Sequence, residues 1–283
     1  MAEMRYIQEL LNTGKGTEGS LLIPKKIYAT LITEVQKSLI PRELAALYFG
    51  PDQIPGSSID INLQTADTSD VRVIGEGGEI PLTEFDLTST NLKPVKYGAA
   101  IRITRELLED SMFNLLEKNV EIVGRRFAEN ENSLVITALD GAGNTVSGGA
   151  AITIANIARA IQYLDDADYT ATDFIIGMEV LADLRQIDTF VEANKVGNRD
   201  MLGTGFLGNI YGLNVIKVST NAGMTTTSSY VLDRRQAYAI AEKRPISIEN
   251  FELPIYDMSA AAITQRITAK ILRSSAVAKI TTS

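Results

Sequence analysis

The chain has 283 residues, 45% of them apolar and 22% charged; that is length for about two domains of roughly 150 residues each, with a substantial core, and it is not a disordered composition. Lys plus Arg number 27 against 35 Asp plus Glu, a net charge of −8, which argues against a dedicated nucleic-acid binder, because phosphate contacts need surplus cations. Cys, His and Trp are absent, so disulfides, thiolate metal sites, Cys nucleophiles and every His-based triad are excluded, leaving carboxylates, Lys, Tyr, Ser and an oxygen-only Ca²⁺ or Mg²⁺ site.

No stretch approaches the ~18–20 apolar residues of a membrane span. Residues 1–11 mix Glu3, Arg5, Gln8 and Glu9 among apolar residues with no signal-peptide pattern, so the chain reads as soluble, unexported and cytosolic when made. Residues 12–20 (NTGKGTEGS) are rich in Gly and Ser and read as part of a mobile N-terminal arm. Ile27, Leu31, Val35 and Leu39 recur at every fourth residue, which predicts a helix over 26–40, stopped by Pro41.

Residues 57–104 hold no helical pattern. Ile59, Ile61 and Leu63 alternate with polar residues, and so, much later, do Val95, Tyr97, Ala99, Ile101 and Ile103. Between them lie short strand-like pieces (VRVI at 71–74, FDL at 85–87) and a Gly-rich centre. A structureless loop of this length is rare inside a compact domain. The pattern therefore predicts a long two-stranded arm, with a reach of roughly 40 Å for a dozen residues per strand. Such a ribbon is barely stable alone, so a neighbouring subunit is its natural support.

A long helix follows. Met112, Leu115, Leu116, Val120, Val123, Phe127 and Leu134 form its apolar face. Glu121 and Arg125 form a favourable pair one turn apart, Arg125 and Arg126 read as salt-bridge partners, and DGAGN after Leu139 ends the helix. From about Thr145 the texture becomes mixed. Helices are predicted around Ile157, Ile161 and Leu164 and around Met178, Leu181, Leu184 and Ile187. DFIIG (173–177), GLNVIKV (212–218) and YVLD (230–233) read as strands, 192–209 as a Gly- and Asn-rich loop, and Ile263, Ile267, Ala269 and Ile271 return to strand alternation.

The motifs that resemble active sites fail on context. GTGFLG (203–208) follows a polar loop and precedes a strand, whereas a dinucleotide site needs a strand before it and a helix opening at it. GEGGEIP (75–81) follows VRVI, but Pro81 leaves no helix for a phosphate, and GKGT (14–17) lacks both the leading Gly and the Ser or Thr of a P-loop. Asp165, Asp166 and Asp168 lack the Gly and distal Glu of a calcium loop. Glu76 and Glu79 sit on a tip rather than in a cleft. No catalytic, cofactor or metal residue is assigned.

The order of these elements resembles the major capsid proteins of tailed bacteriophages, the Hong Kong 97 type of shell protein. GSLLIPKKIYATLITEVQ (19–36) looks like that family's lead-in to its first helix. GEGGEIPLTEFDLTSTNLKPVKYGAAIRITRELLEDS (75–111) looks like its extended-loop return strand running into the base of the spine helix, TRELLEDS being the most specific part. DFIIGMEVLADLRQ (173–186) and LGNIYGLNVIKVSTNAG (207–223) look like its axial domain.

The resemblance implies an α+β Hong Kong 97-like capsid fold. Its parts would be an N-terminal arm (1–25), a first helix leading into the peripheral domain (26–56) and an extended β-arm (57–98). The spine helix and peripheral domain (99–145), an inserted α/β axial domain (146–241) and terminal peripheral strands (242–283) would follow. It implies a non-enzymatic subunit assembling through pentamers and hexamers around double-stranded DNA, in a virion built in the host cytoplasm. Expected interface residues are Arg72, Gly75, Glu76, Gly77, Gly78 and Glu79 at the arm tip, and Asn198, Arg199, Gly203 and Gly205 in an axial loop (190–208). Two departures carry further expectations. Only about 18 residues precede the GSLLIP match, which implies a separate scaffolding protein beside the portal. No Lys lies between Ser57 and Asn91, which implies no covalent cross-link at the arm. Two rival readings are a bacterial nanocompartment shell enclosing cargo enzymes and, more remotely, a carboxylate-based hydrolase whose sign would be two facing carboxylates in a buried cleft.

Overall fold

A computed structural model describes residues 42–64, 72–79, 87–104, 106, 115–187, 209–218, 224–225 and 227–282. The expected N-terminal arm, first helix, TRELLEDS segment (apart from Thr104 and Glu106) and axial loop lie outside these residues.

Three sheets organise the rest. Strands β1 (Leu47–Phe49), β10 (Tyr238–Leu253), β11 (Met258–Ile271) and β4 (Val95–Thr104) form a four-stranded sheet in that order. Strands β5 (Asn144–Gly149), β12 (Val277–Thr282), β9 (Ser228–Leu232), β6 (Asp173–Ile176), β8 (Leu213–Lys217) and β7 (Asn209–Ile210) form a six-stranded mixed sheet. Among the described strands, β2 (Ile59–Gln64) and β3 (Leu87–Leu92) pair only with each other.

The long helix α1 (Leu115–Leu139) ends where expected, with Asp140, Gly141 and Ala142 closing it through bonds to Ile136, Ala138 and Leu139. Its buried stripe of Val120, Phe127, Ala128, Val135, Ile136 and Leu139 lies on one face of the four-stranded sheet. Arg126 pairs with Glu129 at 2.8 Å, one turn on. The expected Glu121–Arg125 pair does not form; Arg125 meets no carboxylate among the described residues and stays exposed. Helices α2 (Ile154–Asp165) and α3 (Met178–Gln186) cover one face of the six-stranded sheet through Ile157, Ala160, Leu164, Val180, Leu181 and Leu184. Thr153 starts α2 by accepting the Asn156 N–H on its hydroxyl at 3.3 Å.

Side-chain alternation explains how the two sheets join. In β6, Phe174 and Ile176 face α2 and α3, while Ile175 faces the other way. That second face belongs to a core shared with α1 and with Tyr238, Ile240 and Ile267 of the four-stranded sheet. Both faces of β6 and β9 are therefore buried, so DFII reads as an unbroken apolar run.

The return side of the arm differs from expectation. Strand β2 is paired not by residues 95–103 but by β3, with Ile59 opposite Leu92 and Gln64 opposite Leu87. Strand β4 instead pairs along its whole length with β11, from Val95 opposite Ile267 to Thr104 opposite Met258. The apolar phase of β4 matches the α1-covered face of the four-stranded sheet, and that sheet wins it. The described ribbon is six residues per strand, or roughly 20 Å. Arg72–Ile74 of VRVI form no strand.

Candidate functional site

The ribbon has a seated root and a bare end. Ile59, Ile61 and Leu92 pack on Ile54, Ala239 and Ala241, on the face of the four-stranded sheet opposite α1. Asn91 donates a hydrogen bond across the ribbon to Asp60, and Lys270 Nζ donates to the Asn91 carbonyl at 3.3 Å. At the far end Leu87 is 68% exposed. Beyond it, every residue from Arg72 to Glu79 is exposed, Val73 completely.

Gly75 to Gly78 make a turn in which the Gly78 N–H donates to the Gly75 carbonyl at 2.9 Å. Gly77 sits at φ +79°, the left-handed conformation that the third turn position reserves for glycine. A Cβ on Gly78 would come within 2.7 Å of Ile74. The structure thus gathers Arg72, Gly75, Glu76, Gly77, Gly78 and Glu79 on one exposed tip. Asn198, Arg199, Gly203 and Gly205 lie outside the described residues.

A second constellation was not anticipated. Arg42 spans two nearly buried carboxylates, Glu131 on α1 and Glu242 on β10. Its Nε and Nη2 donate to the two Glu131 oxygens at 2.7 and 2.9 Å, and Nη1 and Nη2 donate to the Glu242 oxygens at 3.0 and 3.3 Å. Tyr48 donates its hydroxyl to Glu242. The buried Gln265 amide donates to Glu242 at 3.0 Å and to Glu131 at 3.4 Å. Burial opposes the Arg42 cation, but the two carboxylates outweigh it and hold the pKa above the usual guanidinium value. Burial, then the bond to Glu242, raises the Tyr48 phenol.

These are the two facing carboxylates that a hydrolase would need, yet all four oxygens already accept bonds from Arg42, Tyr48 or Gln265. The arrangement ties three segments together and leaves no acid or base open to a substrate. A groove of about 200 Å³ lies between β4 and α1, lined by Tyr97, Gly98, Ala99, Arg126, Phe127 and Asn130, with no carboxylate. No cluster of three or more metal-ligating side chains occurs among the described residues.

The sequence did contain a signal. Glu131 lies four residues from both Phe127 and Val135 on the apolar stripe of α1, and Gln265 is in phase with Ile263 and Ile267. A polar residue in a buried phase announces a network.

The six-stranded sheet holds a simpler staple. Asp173, fully buried, accepts a bidentate pair from Arg234 at 2.7 and 3.1 Å and a bond from Thr172 Oγ1 at 2.7 Å. Tyr230 donates to Asp140 at 2.7 Å, and Lys279 approaches the same oxygen at 2.6 Å. Burial raises the Tyr230 phenol first, the bond to Asp140 second. Burial also raises Tyr238, with the Asp173 charge adding to it.

What remains open for contact is therefore a surface rather than a cleft. The pattern of the phage capsid protein family matches residues 87–280. The chain belongs to that family. The match takes in β3, every strand of the two large sheets except β1 and the last two residues of β12, and all three described helices. Solved structures share the fold of this capsid protein at low identity. The capsid of cyanophage P-SCSP1u superposes with a TM-score of 0.66 at 12% identity, over 87% of this chain and 88% of that one. A chain from Microbacterium phage Oxtober96 gives 0.66 at 17% identity, over 85% and 90%. A virus-like particle from Pyrococcus furiosus gives 0.60 at 14% identity, over 91% and 99%. No curated protein sequence matches. No described helix of the capsid protein is long and apolar enough to cross a membrane.

Proposed function

We propose that this capsid protein is the major shell subunit of a tailed virus, of the Hong Kong 97 type. In this reading α1 is the spine helix, and with the four-stranded sheet it forms the peripheral domain. The six-stranded sheet with α2 and α3 forms the axial domain, surrounding fivefold and sixfold axes. The shell assembles in the host cytoplasm from pentamers and hexamers, encloses double-stranded DNA without reading its sequence, and works with a separate scaffolding protein and a portal. The tip (72–79) and the axial loop (190–208, with Asn198, Arg199, Gly203 and Gly205) contact neighbouring copies. Expansion of the shell is then a rigid-body movement of packed subunits.

One observation carries this reading. Among the described residues, the ribbon rests on its own chain only at its root, while Leu87 and residues 72–79 face solvent. A strand pair of this kind needs a surface to lie on. Deleting residues 66–84 is expected to leave a folded monomer, measured by circular dichroism, and to abolish particles under negative-stain microscopy. Intact shells from the deleted chain refute the role of the arm. With no Lys between Ser57 and Asn91, particles boiled in denaturant are expected to run as one band.

The likeness to the Pyrococcus furiosus virus-like particle over nearly all of that chain supports a second reading, a shell around cargo enzymes. Particles that co-purify with an enzyme and without nucleic acid decide for it.

A further inference from the structure

The face of the four-stranded sheet opposite α1 carries an unusual row of charge. Arg244 on β10 stands opposite Arg266 on β11, and Arg266 stands opposite Lys96 on β4. Three cations thus lie side by side across three neighbouring strands, with partner Cα atoms about 4.5–5.5 Å apart. Like charges placed directly opposite destabilise a sheet. Arg266 donates to the Pro94 carbonyl at 3.3 Å, but none of the three meets a carboxylate among the described residues. Arg244 and Lys96 are exposed and Arg266 is half-buried. Glu249 shares the face farther along, opposite Ala262.

The complementary charge lies in the same chain. From Ser57 to Asn91 seven carboxylates accompany one cation, Arg72, a net −6 of the chain's −8. Glu76 and Glu79 are exposed at the tip and meet no cation among the described residues. Among the described residues, neither the two tip glutamates nor the row is neutralised within one copy. The row also continues a face on which an arm already rests: the ribbon root packs at Ala239 and Ala241, and Lys270 holds the Asn91 carbonyl.

We propose that the Arg244–Arg266–Lys96 row is the seat on which the acidic arm of a second copy lies. This rests on the shell reading and adds to it the receiving surface and the charge pairing that selects it. The arm brings carboxylates to the cations, and the row gives the arm a position along the sheet that a purely apolar contact would not fix.

Charge reversal in the full-length chain tests this. Glu76→Lys with Glu79→Lys alters exposed residues and is expected to leave the fold intact. Lys96→Glu with Arg266→Glu reverses the row, and Lys96→Gln with Arg266→Gln serves in its place if the reversed chain does not fold. At low salt each reversal is expected to lower particle yield at least about tenfold while the monomer melts as the parent does. Combining both reversals in one chain restores particles. Mixing the two reversed chains also recovers particles that neither forms alone, because each arm then meets an opposite charge on the other copy. Normal yield from either reversal overturns the proposal. Rescue within one chain but not by mixing places the contact inside a single copy and overturns it too. Normal particles with less nucleic acid assign the row to the packaged polymer instead, which also overturns it. If the parent chain itself forms no closed particle, the shell reading fails, and that outcome is separate from these.

Discussion

The six-stranded and four-stranded sheets both bury carboxylate beneath an arginine, but they do so with different margins. In the six-stranded sheet one Asp173 meets one Arg234, and Thr172 and Asn214 also donate to it. In the four-stranded sheet a single Arg42 answers two carboxylates, and it reaches them from the described segment that precedes β1. The first staple has one cation for one carboxylate; the second, although Tyr48 and Gln265 also donate to it, has one cation for two. The second has one keystone, and that keystone ties the start of the described chain to α1 and β10. The difference teaches that one region is held by its own packing, while the other depends on a distant segment being in place.

Removing the arginines one at a time sharpens this contrast. Arg42→Ala leaves Glu131 and Glu242 buried without a cation and is expected to cost about 3–5 kcal/mol in denaturant unfolding. Arg234→Ala leaves Asp173 with Thr172 and Asn214 and is expected to cost about 2 kcal/mol. Equal losses would erase the distinction. Tyr238→Phe makes the smallest change. Its buried hydroxyl has no partner among the described residues, so stability at pH 7 is expected to stay within about 1 kcal/mol of the parent. The effect appears in alkali. Burial, with the Asp173 charge, makes the folded Tyr238 hold its proton more tightly than the unfolded chain does. Its contribution is therefore complete below pH about 10 and is lost as the pH rises above that value. The Phe variant is expected to lose stability less steeply there, by up to about 1.4 kcal/mol per pH unit. An unchanged alkaline slope would show that Tyr238 does not titrate with unfolding.

Periodicity revealed the elements whose surroundings are simple. Helix α1, strands β2, β4 and β11 and the buried DFII strand all followed from spacing, because each meets one uniform environment per face. Strand β10 did not. Between Glu242 and Ser247 it spends two more residues than β11 does opposite it, and Pro245 lies in that irregular stretch. Bulges break the two-residue period, and Pro245 is tolerated because β1 pairs only with residues 239–241, which leaves this stretch of β10 at an edge among the described strands. Strand pairing was equally hidden. Residues 59–64 and 95–103 carry the same alternation, and nothing local says that one joins a ribbon and the other a sheet. The tip was legible as glycine and charge without a helix. The Arg42 cluster was not, since its members lie 89 and 200 residues apart. The cation row needed the register, because Lys96 and Arg266 look like ordinary solvent-facing residues until β4 and β11 are set side by side.

Strand β12 has a consequence for biosynthesis. It lies between β5 and β9, parallel to one and antiparallel to the other. Residues 277–282 leave the ribosome after every other described strand, yet they occupy an inner place in the six-stranded sheet. Until they arrive, β5 has no neighbour among the described strands and the sheet stands in two pieces. A nascent or truncated polypeptide therefore cannot present a finished six-stranded surface, and unfinished chains are kept out of any assembly that recognises it.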